Sequence, residues 1–210
     1  MSMPMKTNPP DAGPDTARAV TCFTPGTLIT TTSGRRAVQD MRPGDRVLTR
    51  DNGFQPVVWT GQRVCSHLGN GPNQTAAPVL IRANAFAPGL PERDMLVSPG
   101  HRFLTTDPAL LSQTGETEAL IEARALLGTP GIERAACESV TYIHILFERH
   151  EVVLSENAWS ESFQLSHANA RALTQDRDIQ ALPHFNTADH LGVTLQDPAR
   201  TCLPHHADAA

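Results

Sequence analysis

The chain has 210 residues and a formal net charge of -5, with hydrophobic residues at 40% and charged residues at 19%. That balance fills one globular core, excludes disorder of the whole chain, and gives no basic surface for a nucleic-acid partner. No apolar run approaches the roughly 18 to 20 residues needed to cross a bilayer, so a transmembrane helix is excluded.

Met1 to Val20 carries one lysine, four prolines and no apolar h-region. A secretory signal peptide is thereby excluded, and the stretch 1–21 is predicted to be a flexible leader. The cytoplasm is the default compartment, with export routes that read no N-terminal signal left open. The 17 prolines leave little room for long helices, which points to an all-β fold. Pro-Gly pairs recur at 25–26, 43–44, 88–89, 99–100 and 130–131, each with the composition of a type II turn. Asn52-Gly53 adds the type I′ hairpin signal.

Between these turns, segments rich in β-branched and apolar residues predict strands at 28–32, 46–49, 57–60, 79–81, 95–97 and 102–105. The clearest later strand is 140–147, where Thr141, Ile143, Ile145 and Phe147 share one face and Val140, Tyr142, His144 and Leu146 the other. Residues 151–154 and 159–163 read as a following hairpin. Helices are predicted only at 117–127, which is short, and at 168–182; from His184 onward the chain reads as a loose tail. The organisation is thus a leader over 1–21, a β domain over 22–166, and a helix with a tail over 167–210.

Cysteines at 22, 65, 137 and 202 lack Cys-x-x-Cys spacing, which argues against a zinc knuckle or a disulfide scaffold. His184, His190, His205 and His206 read as parts of a polar tail, and no metal or cofactor is expected. Asp94 precedes Ser98 closely without being singled out. Cys22 stands where the leader ends and the turn Thr24-Pro25-Gly26-Thr27 begins. That place suits action on its own chain better than packing, although a lone cysteine ordinarily serves as a small buried hydrophobe. A second feature is Ser98-Pro99-Gly100-His101, whose turn composition holds a hydroxyl and an imidazole within about 7 Å of each other, Cα to Cα.

The segment Cys22-Phe23-Thr24-Pro25-Gly26-Thr27, then Gly34, the Met41 to Leu48 run and Asp51-Asn52-Gly53, resembles the start of Hedgehog/intein (Hint) domains. It is similar above all to the Hedgehog autoprocessing domain and its bacterial Hint relatives. Leu96-Val97-Ser98-Pro99-Gly100-His101 resembles the family's Thr-x-x-His block, with Ser98 in place of threonine. Tyr142 to Phe147, His150-Glu151 and Asn157 to Phe163 complete a resemblance covering 22–163. It implies a horseshoe-like, pseudo-two-fold β fold, carrying here a short helix and a C-terminal helix or tail.

The resemblance also implies self-processing at the Thr21-Cys22 bond, with the leader as substrate. Cys22 would attack the Thr21 carbonyl to give a thioester, which water or a small thiol resolves. A free thiol with a pKa of about 8.5 is only partly ionised at neutral pH, so a base must help. His101 would exchange protons with the departing nitrogen and Ser98 would position the amide or the ring. His144 and His150 are further candidates; in inteins an aspartate often occupies the strand matching 142–146.

Splicing inteins end in His-Asn, where this chain has Trp159-Ser160-Glu161-Ser162, so splicing is not expected and 164–210 stay attached. Hedgehog domains pass the acyl group to a sterol through an aspartate whose counterpart falls near Gly61. Two other readings remain open from sequence: a Hint-fold module without the reaction, and a cysteine hydrolase acting in trans.

Overall fold

The computed structural model describes residues 21–68, 74–112, 114–166 and 196–203. The leader over 1–20, the helix expected at 168–182 and the four tail histidines lie outside these residues.

The described chain is almost entirely β. Its strands are β1 (Leu28–Thr31), β2 (Gly34–Ala37), β3 (Arg46–Thr49), β4 (Gly53–Pro56), β5 (Trp59–Ser66), β6 (Val79–Ile81), β7 (Met95–Val97), β8 (Arg102–Thr105), β9 (Ala119–Glu122), β10 (Ile132–Arg134), β11 (Ser139–Leu146), β12 (Val152–Ser155) and β13 (Ala158–Glu161). One short helix, α1 (Pro108–Leu111), is capped by Asp107, whose carboxylate accepts from the Ala109 amide at 2.8 Å. All named strand pairs are antiparallel. The largest sheet runs β2-β1-β3-β12-β13-β8-β9 with β4 on β3; β10-β6-β7 and the long β11-β5 pair form two more ladders. Among the described residues no helix is long and apolar enough to cross a membrane.

Period-2 alternation places the cores. On β11, Tyr142 and Leu146 enter a cluster with Cys22, Trp59, Cys65, Phe163 and Leu165. Ile143 and Ile145 enter a second, with Phe23, Ile29, Val47, Phe147 and Val153. β11 is therefore buried on both sides, as its unbroken apolar run allows. A third cluster gathers Val79, Ile81, Met95, Val97 and Phe103.

The helix expected at 117–127 is not formed: strand β9 and a 3-10 turn, Ala123–Leu126, stand in its place. Ala, Leu and Glu favour helix locally, but every residue of β9 is buried and the strand pairs with β8 on one side. On the other side Leu120 exchanges main-chain bonds with Thr201 and Leu203 at 2.9 and 2.8 Å. Tertiary pairing outweighs propensity here. The same bonds show that residues 196–203, within the stretch expected to be a loose tail, are docked on the body. Gln196 fixes them further, donating from its side chain to the Phe147 carbonyl at 2.9 Å and accepting from the Leu165 amide at 3.1 Å.

Each Pro-Gly pair closes a turn through a hydrogen bond between its flanking residues, and Gly26, Gly44, Gly89 and Gly131 adopt the expected positive φ. The type II form expected at 98–101 does not occur, because Gly100 stays outside the left-handed region. Its cause is the Pro99 carbonyl, which accepts from the Arg124 amide at 3.0 Å and so fixes the direction of the Pro99-Gly100 peptide. The type I′ geometry expected at Asn52-Gly53 is also absent there, since only Gly53 has positive φ. It occurs instead at Glu156 (φ 43) and Asn157 (φ 67), between β12 and β13. Glu156 holds this conformation with a buried carboxylate that accepts from the Leu28 amide at 2.6 Å and from Arg93 at 2.5 Å.

Candidate active site

The first described residues enter the body in extended form. Phe23 exchanges two main-chain hydrogen bonds with Ile143, both 2.9 Å, and bridges Val97 at the end of β7. Continuing that antiparallel register by one residue sets Cys22 opposite His144, and opposed side chains lie on the same face. Phe23 thus enters one core while Cys22 turns into the other.

His144 consequently touches both partners of the bond before Cys22. Its Nδ1 lies 3.0 Å from the Thr21 carbonyl oxygen, and its Nε2 lies 3.8 Å from Cys22 Sγ. A carbonyl oxygen only accepts, so Nδ1 carries a proton; in the neutral ring Nε2 then presents a lone pair to the thiol. The ring is held by Phe163, edge-on at 4.9 Å, and by Trp59, stacked at 6.2 Å. Trp59 occupies this place because Gly61, across the ladder from His144, has no side chain: a Cβ there would lie 2.0 Å from the indole.

Ser98 holds the nitrogen of the same bond. The Cys22 amide donates to Ser98 Oγ at 3.0 Å, and the Ser98 amide donates back to the Cys22 carbonyl at 3.1 Å. The turn that follows, closed by the His101 amide on the Ser98 carbonyl at 3.0 Å, carries His101 to the start of β8. The His101 ring packs edge-on against Phe23 at 4.5 Å, beside Phe103, and neither of its nitrogens has a hydrogen-bond partner among the described residues. Desolvation by burial lowers its pKa to about 4, against the pull of Glu161. Burial likewise pushes the Cys22 thiol well above its ordinary value, with Ser98 and Arg63 opposing. The Cys22 side chain is therefore held as a thiol.

The Thr21 side chain is held on another strand. Its Oγ1 donates at 2.5 Å to Oε1 of Glu161 on β13. That carboxylate also accepts from the Arg102 amide at 3.0 Å and from the Arg102 guanidinium at 3.1 Å, and His150 Nε2 lies 3.2 Å away. The Ala199 amide donates to His150 Nδ1 at 3.0 Å, which leaves the His150 proton on Nε2, close to Glu161 but not aligned with it for a hydrogen bond. Burial pushes the Glu161 carboxyl up, but His150 and Arg102 outweigh it and hold the group below the usual range. Thr21, Cys22, Ser98, His101, His144, His150 and Glu161 are all buried.

Of the residues expected from sequence, Cys22, Ser98 and His144 meet around the Thr21-Cys22 bond. His101 lies one turn from Ser98, and His150 is reached only through Glu161. Asp94 is elsewhere, bound to Arg82 and the Ala83 amide on the surface. Sequence reasoning missed Glu161 and the stack of Trp59 on His144. One signal existed for Glu161: alternation places it on the same strand face as Trp159 and Phe163, an unusual position for a carboxylate. Among the described residues no group of three or more His, Cys, Asp or Glu is placed to hold a metal ion.

Among solved structures, the chain is similar to a splice-inactive variant of the AceL NrdHF class 3 split intein, with 15% identity over 68% of this chain and 96% of the other, at a TM-score of 0.41. It is also similar to a bacterial intein-like domain from Clostridium thermocellum, with 16% identity over 67% and 97%, again at a TM-score of 0.41. No curated protein matches. A model of the Hint domain matches residues 21–167, the whole β body with the bond that precedes Cys22, and the chain belongs to the Hint domain family.

Proposed function

We propose that this domain cleaves its own chain between Thr21 and Cys22 by an N-to-S acyl shift, releasing the leader without splicing. The observation that carries the reading is His144 spanning the reacting groups, with Nδ1 on the Thr21 carbonyl oxygen and Nε2 facing the Cys22 sulfur.

His144 Nε2 takes the thiol proton as Sγ attacks the Thr21 carbonyl carbon, a base being required because burial keeps the sulfur protonated. The carbonyl oxygen gains negative charge while Nδ1 already donates to it, so the ring that becomes positive stabilises the oxygen that becomes negative. The C–N bond then breaks, the acyl group stays on sulfur as a thioester, and the nitrogen leaves as the amine of Cys22. The proton lost by the thiol ends on that amine, so the step is an isomerisation and consumes nothing. Ser98, on the Cys22 amide, positions the departing nitrogen. His101, uncharged at neutral pH because burial lowers its pKa to about 4, takes up the proton that leaves His144 and passes it to that nitrogen, so that each ring ends the step as it began. No cofactor takes part. Water or a small thiol then resolves the thioester.

Two features support cleavage without splicing or sterol transfer. The segment that would carry a terminal His-Asn holds Glu161 at the end of β13 and Ser162 just after it, so no asparagine is there to cyclise. Gly61 offers no carboxylate, and Trp59 fills the space above it. Residues 164–210 accordingly remain attached.

Intact-mass measurement of the purified full chain tests this, with and without hydroxylamine or dithiothreitol. Loss of the leader from the wild type but not from Cys22→Ala is the expected result. An unchanged wild-type mass under all conditions would favour an inert Hint-fold module, and turnover of an added peptide would favour a hydrolase.

A further inference from the structure

We infer that Glu161 is a specificity-determining residue that reads the hydroxyl of residue 21, so that the domain cleaves after threonine or serine and discriminates against aliphatic residues. The inference rests on the cleavage reading above and names the substrate that it selects.

Thr21 is held at two points by two strands. Its carbonyl oxygen accepts from His144 on β11, and its hydroxyl donates to Glu161 on β13. Both Thr21 and Glu161 are buried, at 2% and 0% exposure, so no solvent competes for the carboxylate. A carboxylate has about four acceptor positions, and those of Glu161 face the Thr21 hydroxyl, the Arg102 amide, the Arg102 guanidinium and His150. The Thr21 hydroxyl is the one partner of this set that belongs to the cleaved flank.

Valine matches threonine in shape but sets a methyl group against the carboxylate, leaving one buried acceptor position without a donor. Sites built to hydrogen-bond a hydroxyl reject an isostere lacking it far more strongly than apolar pockets reject an added one. The hydrogen bond also fixes the rotation of Thr21 about its own backbone, and with it the face of the carbonyl presented to Cys22 Sγ. Glu161 touches neither the sulfur nor the carbonyl, and acts through the position of Thr21.

The test uses the full chain with Thr21 as found, Thr21→Ser and Thr21→Val, each in the wild-type and Glu161→Met backgrounds, methionine having no oxygen to accept the hydroxyl. Dithiothreitol-induced cleavage is followed by intact mass, and melting midpoints are recorded in parallel. Expected are cleavage of Thr21→Ser within about threefold of wild type and slowing of Thr21→Val by about 10- to 100-fold, with the Thr/Val ratio collapsing toward one in Glu161→Met. If Glu161→Met fails to fold, the Thr21 series in the wild-type background decides alone. Equal rates for threonine and valine in a chain that cleaves would overturn the specificity role and leave the cleavage reading standing. A wild-type chain that does not cleave would remove both.

Discussion

Cys22 Sγ sits 3.8 Å from His144 Nε2, on a ring whose opposite nitrogen is bound to the carbonyl that the sulfur would attack. If this ring is both base and oxyanion donor, its two duties separate by substitution. His144→Ala removes both and should slow cleavage by about 100- to 10,000-fold, whereas His144→Gln keeps an N–H donor and should lose less. Time courses of leader release by intact mass give both rates. Wild-type rates in His144→Ala would exclude the ring from the reaction.

Ser98→Ala deletes the acceptor of a buried amide. The domain should lose about 1 to 3 kcal/mol of stability, read from urea unfolding midpoints, and cleavage should slow as the amide loses its anchor. Ser98→Thr keeps the oxygen and should recover most of the rate.

The pH response follows from His101. Its folded pKa, about 4, lies below the ordinary 6.5, so protons bind the unfolded chain more tightly. Its contribution is complete above about pH 6.5 and is lost as pH falls toward about 4, a difference of about 3 kcal/mol across that window. His101→Gln should flatten this part of the stability profile, measured by urea titration at about pH 7.5 and about pH 4.5. The same variant should block amide cleavage at neutral pH while the fold persists. An unchanged pH profile would show that His101 is not the group responsible.

Gly61→Ala places a methyl group where the Trp59 indole lies. A ring sealed in the core has little room to yield, so a destabilisation of about 1 to 3 kcal/mol is expected. The tryptophan emission should shift to the red, and cleavage should fall as His144 loses its stacking neighbour. Native fluorescence and an unchanged rate would show that the indole does not order the site.

Alternation along 140–147 was legible because it is a local property: Ile143 and Ile145 face one core while Tyr142 and Leu146 face the other. The Cys22-His144 pairing joins residues 122 positions apart through a sheet register, which no local pattern encodes. It could be anticipated only through resemblance, and resemblance ranked His144 behind His101. Glu161 was hidden for the same reason, since its meaning depends on Thr21, 140 positions earlier. Local preference failed where distant partners intervened: β9 reads as helix until β8 and residues 201–203 pair with its edges, and the 98–101 turn follows Arg124 rather than its own glycine.

The two rungs between Phe23 and Ile143 lie downstream of the bond that the proposed reaction would cut. Severing that bond therefore takes nothing from the ladder that anchors the new amino terminus. What the departing flank would take with it is the Thr21 hydroxyl on Glu161, so the processed body would keep its anchor at Phe23 while one acceptor position of that carboxylate passes to water.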